Sequence, residues 1–362
     1  MKILLVCYDI SRDGGLERVA LNLYREFQKR MNAHLVSLFC EHSNNPFFLS
    51  IQHEIDVVHP QKGVFIRDFP FVMSRLRNIQ RKYQASIVLS VGLNCGLYAC
   101  LLKDCCGAKT VVCEHNILQN SVYNTWRTVL KRKAIVSMCD KLITLTKRDK
   151  EEYAKAYPKF RRKFQFIYNW IDIDPRAANS LYDIRSKKVV TVCRVAPIKG
   201  IERSIEAFRK ISAQYPDWSW EVYGSGDETY LRELRELIER RQVKNFFFKG
   251  YCSDVSTAYQ SAAIYACTSF FEGLPLSLLE AQSWRVPIVS FDCKTGPGEI
   301  VADDVNGFLV RDGDIDAFAE RMERLIGDAD LRKRFSDMSY ANMDKFRKSE
   351  IVKQWIRLFE TL

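Results

Sequence analysis

Glu272-Gly273-Leu274-Pro275-Leu276-Ser277-Leu278-Leu279-Glu280-Ala281 is the most specific stretch of this chain. An acidic residue ends a loop, Gly273 and Pro275 open a helix, and a second acidic residue follows eight positions after the first. Leu276, Leu278 and Leu279 are apolar, so Glu280 is expected on a largely buried helix. A buried carboxylate is costly unless a hydrogen-bond donor meets it. Two kinds of donor suit this one: the hydroxyls of a bound ligand, or a lysine or arginine from elsewhere in the fold. Apolar runs at 263–267 and 286–290 flank the stretch, which makes it the loop and helix between two strands.

The same rhythm extends in both directions. Further strands are expected at 188–193, 219–223, 245–248 and 307–310, with helices at 201–214, 228–241, 314–326 and 328–338. In the first half the strand runs are 2–7, 33–39, 55–58, 86–91, 109–113, 141–145 and 164–168, with helix-like segments at 16–30, 121–137 and 147–156. Strand–helix alternation of this kind implies an α/β protein with parallel sheets covered by helices on both faces. At 362 residues the chain outgrows a single core, so two domains are expected. Apolar periodicity lapses over 171–186, where Pro175 interrupts, and this divides the chain into domains at 1–175 and 176–345. The closing segment 346–362 carries Ile351, Val352, Trp355, Leu358 and Phe359 on an amphipathic pattern, a candidate to pack back on the first domain. Solenoid repeats and low-complexity tracts are absent.

Open α/β sheets bind ligands at the carboxyl ends of their strands, so the loops that follow strands are the places to look. After the first strand come Asp13-Gly14-Gly15-Leu16-Glu17-Arg18, where glycines allow close backbone approach and a helix start offers N–H groups to an anion. The spacing is not the G-x-G-x-x-G of dinucleotide enzymes. After the strand at 188–193, Arg194 and Lys199 bring two cations and a helix start together, a combination suited to a diphosphate. Solvated surface cations are the alternative reading of that pair.

Glu272 and Glu280 match the E-x7-E motif of the retaining glycosyltransferase family 4, and the chain resembles that family from Gly14 to Gly307 in the order of its motifs. The resemblance implies the GT-B fold, two Rossmann-like domains with parallel sheets facing across a cleft. It also implies roles. Arg194 and Lys199 would neutralise the leaving diphosphate, Glu272 would contact hydroxyls of the transferred sugar, and Glu280 would hold the ribose. Backbone around Gly273, Leu274 and Leu276 would meet the phosphates, with Gly14, Gly15, Gly224 and Cys252 completing the donor site. His115, in Val112-Cys113-Glu114-His115-Asn116, would face the reaction centre. The leaving diphosphate itself would take the acceptor proton, so no carboxylate nucleophile and no cofactor is assigned. Asp172-Ile173-Asp174 and Asp314-Ile315-Asp316 both read D-x-D, but Asp314 and Asp316 stand at a helix start as caps, and metal independence is expected.

Charge bears on the partner. Residues 1–175 hold 27 Lys and Arg against 16 Asp and Glu, whereas 176–362 hold 28 of each, so the whole surplus of 11 lies in the first half. A basic face suits an anionic partner. The segment 69–83 (FPFVMSRLRNIQRKY) and Lys131-Arg132-Lys133 are read as docking on anionic lipid, which favours a lipid-linked or lipopolysaccharide acceptor. Resemblance to bacterial surface-polysaccharide enzymes, including Thr295-Gly296-Pro297-Gly298-Glu299-Ile300, favours a UDP-sugar. No stretch approaches the roughly 20 apolar residues that span a bilayer, and MKILLVCYDI reads as a buried first strand rather than a leader. A cytoplasmic protein, peripheral on the inner membrane face, is expected. The 12 cysteines lack paired Cys-x-x-Cys spacing and read as structural thiols. Rival readings are a non-catalytic nucleotide-sugar or RNA binder, a GT-B epimerase and a phosphorylase. No aromatic-rich RNA-binding motif supports nucleic acid.

Overall fold

β-branched and aromatic runs bounded by turn residues become strands, and the amphipathic segments between them become the covering helices. The computed structural model describes residues 1–12, 14–61, 65–118, 125–172 and 182–362. Asp13 of the glycine loop, the first residues of the 121–137 helix segment, and Ile173, Asp174 and Pro175 lie outside the described residues. The chain divides into two compact units, Met1–Asn169 with Val352–Leu362, and Trp170–Ile351.

The first unit contains β1 (Lys2–Asp9), β2 (Asn32–Phe39), β3 (Ile55–His59), β4 (Ile87–Val91), β5 (Lys109–Glu114), β6 (Lys141–Thr144) and β7 (Phe164–Phe166). They form one sheet in the order β3-β2-β1-β4-β5-β6-β7. Every pairing is parallel; Val6, for example, lies opposite both Val36 and Ser90. Leu4, Val6, Val36 and Val88 pack against Val72, Met73 and Leu76 of the helix Phe65–Tyr83. Leu93–Cys100 is a helix that periodicity alone did not reveal. Leu93, Cys95, Gly96, Tyr98, Ala99 and Cys100 are all buried, so it lacks the polar face on which helical periodicity depends.

The second unit contains β8 (Lys188–Val192), β9 (Ser219–Tyr223), β10 (Phe246–Gly250), β11 (Ile264–Cys267), β12 (Ile288–Asp292) and β13 (Gly307–Arg311), in the order β10-β9-β8-β11-β12-β13. This sheet is also parallel throughout. Val189, Trp220, Ile264 and Val289 meet Ile205, Phe208, Phe318 and Met322 in its core. Both sheets therefore have the Rossmann-like order, in which the chain builds outward from a central strand and then returns to build the other side. Asp314 caps the helix Ile315–Gly327 by accepting from the Ala317 N–H at 2.9 Å, and Asp316 pairs with Lys210 at 2.6 Å. Asp172 pairs with Lys348 at 2.5 Å.

Helix Lys348–Glu360 ends the chain, and its residues from Val352 belong to the first unit. There the Phe27 ring lies 6.1 Å from Trp355 and 5.3 Å from Phe359, edge-on to both. All three are buried. Trp355→Ala should cost about 3–5 kcal/mol of stability, read as a lower urea midpoint of the transition that exposes the first unit. An unchanged midpoint would show that this contact carries no weight.

Candidate functional site

In the second sheet the strand order reverses between β8 and β11, which are direct neighbours, and the loops after these two strands meet at their carboxyl ends. Lys199, from the loop after β8, places its ammonium 2.6 Å from Oε1 of Glu272, from the loop after β11. The Ser269 hydroxyl donates to the same Oε1 at 2.6 Å. Burial alone would lower the Lys199 pKa, but the Glu272 charge and hydrogen bond outweigh it and raise it, so the lysine is fully charged. The main chains are tied as well. Phe270 N–H donates to Ile198 O at 2.9 Å and the Thr268 hydroxyl to Lys199 O at 3.3 Å. Gly200 sits at φ +61°, where a Cβ would collide with Thr268 O, so only glycine allows this approach.

Arg194 opens the same loop. It is exposed and, among the described residues, meets no carboxylate. Its neighbour Val195 donates to Ser225 O at 2.8 Å, which sets this loop against the one after β9. Gly224 makes the contact possible: at φ +137° a side chain there would overlap Cys193 O.

The stretch from Glu272 onward is held from a third direction. The Thr295 hydroxyl donates to Glu272 O in a short bond. Gly296 packs against Gly273 O and Pro275, each 2.6 Å from where a Cβ would stand. Leu274 is buried, Gly273 and Leu276 are half-buried, and helix Leu276–Ser283 begins without a side-chain cap. Glu280, on that helix, is half-buried rather than deeply buried, and its Oε2 accepts from the Tyr259 hydroxyl at 2.6 Å. Burial and the Glu280 charge hold the Tyr259 phenol protonated. A lysine partner of the kind considered as an alternative to ligand hydroxyls meets Glu272, where Lys199 pairs with it. Cys252 lies after the edge strand β10 and donates its thiol to Asp254 O at 3.2 Å. Among the described residues it has no hydrogen bond to Lys199 or Glu272.

Gly14, Gly15 and His115 belong to the first unit, at the carboxyl ends of β1 and β5. Gly14 is extended at φ −121°, so neither strain nor a left-handed backbone calls for glycine there. The space above it is filled by the Glu17 carboxylate, while a Cβ on Gly15 would meet nothing within 4 Å. The helix Gly15–Gln28 starts without a side-chain cap. His115 is half-buried, and its Nε2 is buried without a hydrogen-bond partner among the described residues. Burial lowers its pKa to about 4, so the imidazole is neutral near pH 7. The side chain before it, Glu114, is buried and accepts from Asn116 N–H at 2.9 Å and the Tyr153 hydroxyl at 3.1 Å, which fixes the loop.

Ser269, Tyr259 and Gly296 escaped the sequence reading as contact residues, since no spacing relates a strand-end serine or a short-helix tyrosine to a distant carboxylate. The one available signal was the Thr295–Gly296 pair, read only through family resemblance.

Because the folded-state pKa of His115 lies below the ordinary 6.5, its contribution to stability is lost as pH falls from about 6.5 toward 4. NMR titration, with His115→Gln to identify the signal, should give a midpoint near 4. A midpoint near 6.5 would contradict the burial.

Residues 13–175 match the sequence model described as Glycosyltransferase Family 4, and residues 177–341 that described as Glycosyl transferases group 1. The chain is 27% identical to an uncharacterized glycosyltransferase of Haemophilus influenzae, over 98% of each chain. It is 23% identical, over 99% of this chain and 98% of the other, to a Campylobacter jejuni enzyme named as a diNAcBac-PP-undecaprenol-linked GalNAc alpha-1,4-N-acetyl-D-galactosaminyltransferase. HepE of Anabaena, solved in complex with UDP, superposes with a TM-score of 0.82 at 18% identity over 100% of both chains, a likeness of fold. With the two sequence models following one another through nearly all of its length, this chain belongs to glycosyltransferase family 4 and has its GT-B architecture of two Rossmann-like domains.

Proposed function

We propose that this glycosyltransferase moves a hexose or N-acetylhexosamine from a UDP-sugar to a lipid-linked oligosaccharide, lipopolysaccharide or capsule acceptor, with retention of anomeric configuration. The observation that carries the reading is the pairing of Lys199 with Glu272 at the switch point of the second sheet, on the loop opened by Arg194, which among the described residues meets no carboxylate. Cations on a rigid loop stabilise charge that develops on a leaving diphosphate without having to reorganise at the moment of reaction. UDP is favoured because HepE, of the same fold, was solved with it. A lipid-linked acceptor is favoured by the Campylobacter relative's name.

In the proposed reaction the bond from the sugar's anomeric carbon to the diphosphate oxygen breaks, and the acceptor oxygen bonds to that carbon from the same face. The acceptor proton passes to the departing diphosphate. Lys199 and Arg194 offset the charge left on the phosphates. Glu272, held through Oε1 by Lys199 and Ser269, presents Oε2 to a hydroxyl of the sugar. Glu280 accepts from the ribose hydroxyls while Tyr259 holds its other side. His115, being neutral, offers a hydrogen bond rather than a charge. The Arg and Lys take the part that a divalent metal plays in other transferases. Enzyme with these properties would work at the cytoplasmic face of the membrane that bears its acceptor. Among the described residues no helix is long and apolar enough to cross that membrane.

Glu280→Ala removes charge-assisted hydrogen bonds worth about 1.5–3 kcal/mol, so UDP should bind roughly 10- to 150-fold more weakly. Calorimetric titration in excess chelator measures this, and wild-type binding should be undiminished by the chelator. Equal affinity in a folded Glu280→Ala protein would overturn the ribose assignment, and wild-type binding only on addition of manganese would overturn metal independence.

A further inference from the structure

Helix Trp126–Met138, between β5 and β6, is apolar on two sides. Its inner side is ordinary: Ile135 and Val136 are fully buried with Val112, Leu142 and Tyr153. Its outer side is not. Trp126, Val129 and Leu130 are 68%, 42% and 57% exposed, and their i, i+3, i+4 spacing places them in one stripe. Lys133 continues that stripe as an exposed cation, and the Arg127 guanidinium lies 5.3 Å from the centre of the Trp126 ring. A helix that already buries one apolar face has no use in its own core for a second, and a contiguous exposed apolar patch marks an interaction surface.

Charge says what covers it. Right-handed crossovers place helix Phe65–Tyr83, which returns from β3 to β4, on the same face of the sheet as Trp126–Met138. Its Arg75, Arg77, Arg81 and Lys82 are exposed and, among the described residues, pair with no carboxylate. Both helices lie within residues 1–175, which hold the whole positive surplus of the chain. The segments 69–83, 131–133 and 159–163 are the ones in which the sequence suggests contact with lipid, and the first two differ in what they expose. Val72, Met73 and Leu76 are committed to the core, Arg132 is buried, and the Lys131 ammonium donates to Asn94 O at 3.0 Å. Helix Phe65–Tyr83 keeps its cations outside, while the outward apolar stripe lies on the other helix.

We propose that this helical face of the first unit docks on an anionic phospholipid bilayer, with Trp126, Val129 and Leu130 in the acyl–headgroup boundary and the exposed cations among the headgroups. The apolar stripe occupies the start of its helix, hence the carboxyl end of the first sheet, the same end as Gly14 and His115. Docking there brings that end of the unit to the bilayer. The face itself is argued from exposure and charge; its service to a lipid-borne acceptor rests on the function proposed above.

Trp126 provides its own probe. The other five tryptophans, Trp170, Trp218, Trp220, Trp284 and Trp355, are buried, so quencher-accessible emission reports Trp126. The full chain is mixed at low salt with phosphatidylcholine vesicles, with and without phosphatidylglycerol. With phosphatidylglycerol the protein should sediment with the vesicles, its emission should shift blue, and acrylamide should lose access; with phosphatidylcholine alone these changes should be small. V129S/L130S, which alters only exposed side chains and keeps the probe, should partition about tenfold or more weakly. Trp126 still quenched on saturating anionic vesicles, or V129S/L130S binding as wild type, would overturn the docking face. Protection of Trp126 without vesicles, with a doubled mass in light scattering, would show that the stripe pairs two copies and would equally overturn it. UDP titration of V129S/L130S without vesicles separates the two proposals: lost docking with intact UDP binding leaves the transferase reading standing, and the converse leaves the docking face standing.

Discussion

The ion pair of Lys199 with Glu272 joins residues 73 positions apart, and its geometry depends on the order of six strands. Only because the chain builds β8, β9 and β10 to one side and then returns to lay β11 against β8 do these two loops leave the sheet side by side. Removing one partner would leave the other charge largely desolvated, the costly way to break such a pair. Glu272 therefore acts as an internal counter-ion that keeps Lys199 charged and in place before any ligand arrives. Ser269 holds the Glu272 carboxylate, Thr268 and Thr295 lock the surrounding backbone, and Gly200, Gly224 and Gly296 let the strand-end loops approach more closely than any side chain would permit. On the proposed function, a donor diphosphate finds two cations already arranged for it.

The two sheets share a strand order but differ in what their carboxyl ends present. The second presents charge held in ion pairs and hydrogen bonds. In the first, β1 leads to an uncapped helix start and open space above Gly15, and β5 leads to a neutral histidine on a loop pinned by the buried Glu114. On the proposed function, such a division suits a donor half that must manage a leaving group's charge and an acceptor half that must offer hydroxyl-sized, uncharged contacts. Exposed cations of the first half include instead Arg75, Arg77, Arg81 and Lys82 on helix Phe65–Tyr83 and Lys133 on helix Trp126–Met138.

Much of this was legible beforehand because parallel strands buried on both faces read as short apolar runs, and all thirteen expected runs are strands. Long amphipathic helices such as Ile201–Ile211 and Glu228–Arg240 were equally plain. Helix Leu93–Cys100 was not, because six of its eight residues are buried and little of a polar half remains in its pattern. At the site, Glu272, Lys199 and Arg194 were legible as charged residues in strand-end loops, but the pairing of the first two was not: sequence spacing holds no information about which strands become neighbours. For the same reason the Tyr259 hydroxyl on Glu280 and the Lys199 ammonium on Glu272 were invisible as contacts. Near Trp126, the alternation of apolar and basic residues looked like an ordinary amphipathic helix until the fold showed which apolar side faces out.

The central claim is that the switch point of the second sheet holds a nucleotide-sugar. The most direct measurement is the thermal shift of the purified chain with UDP, GDP, ADP and their common sugar conjugates, in the absence of metal. A rise in Tm with UDP and its conjugates, absent with the other nucleotides and absent for UDP when Lys199 is replaced by alanine in a folded protein, is the expected result. An equal rise with every nucleotide, or a UDP shift unaffected by the loss of Lys199, would contradict it.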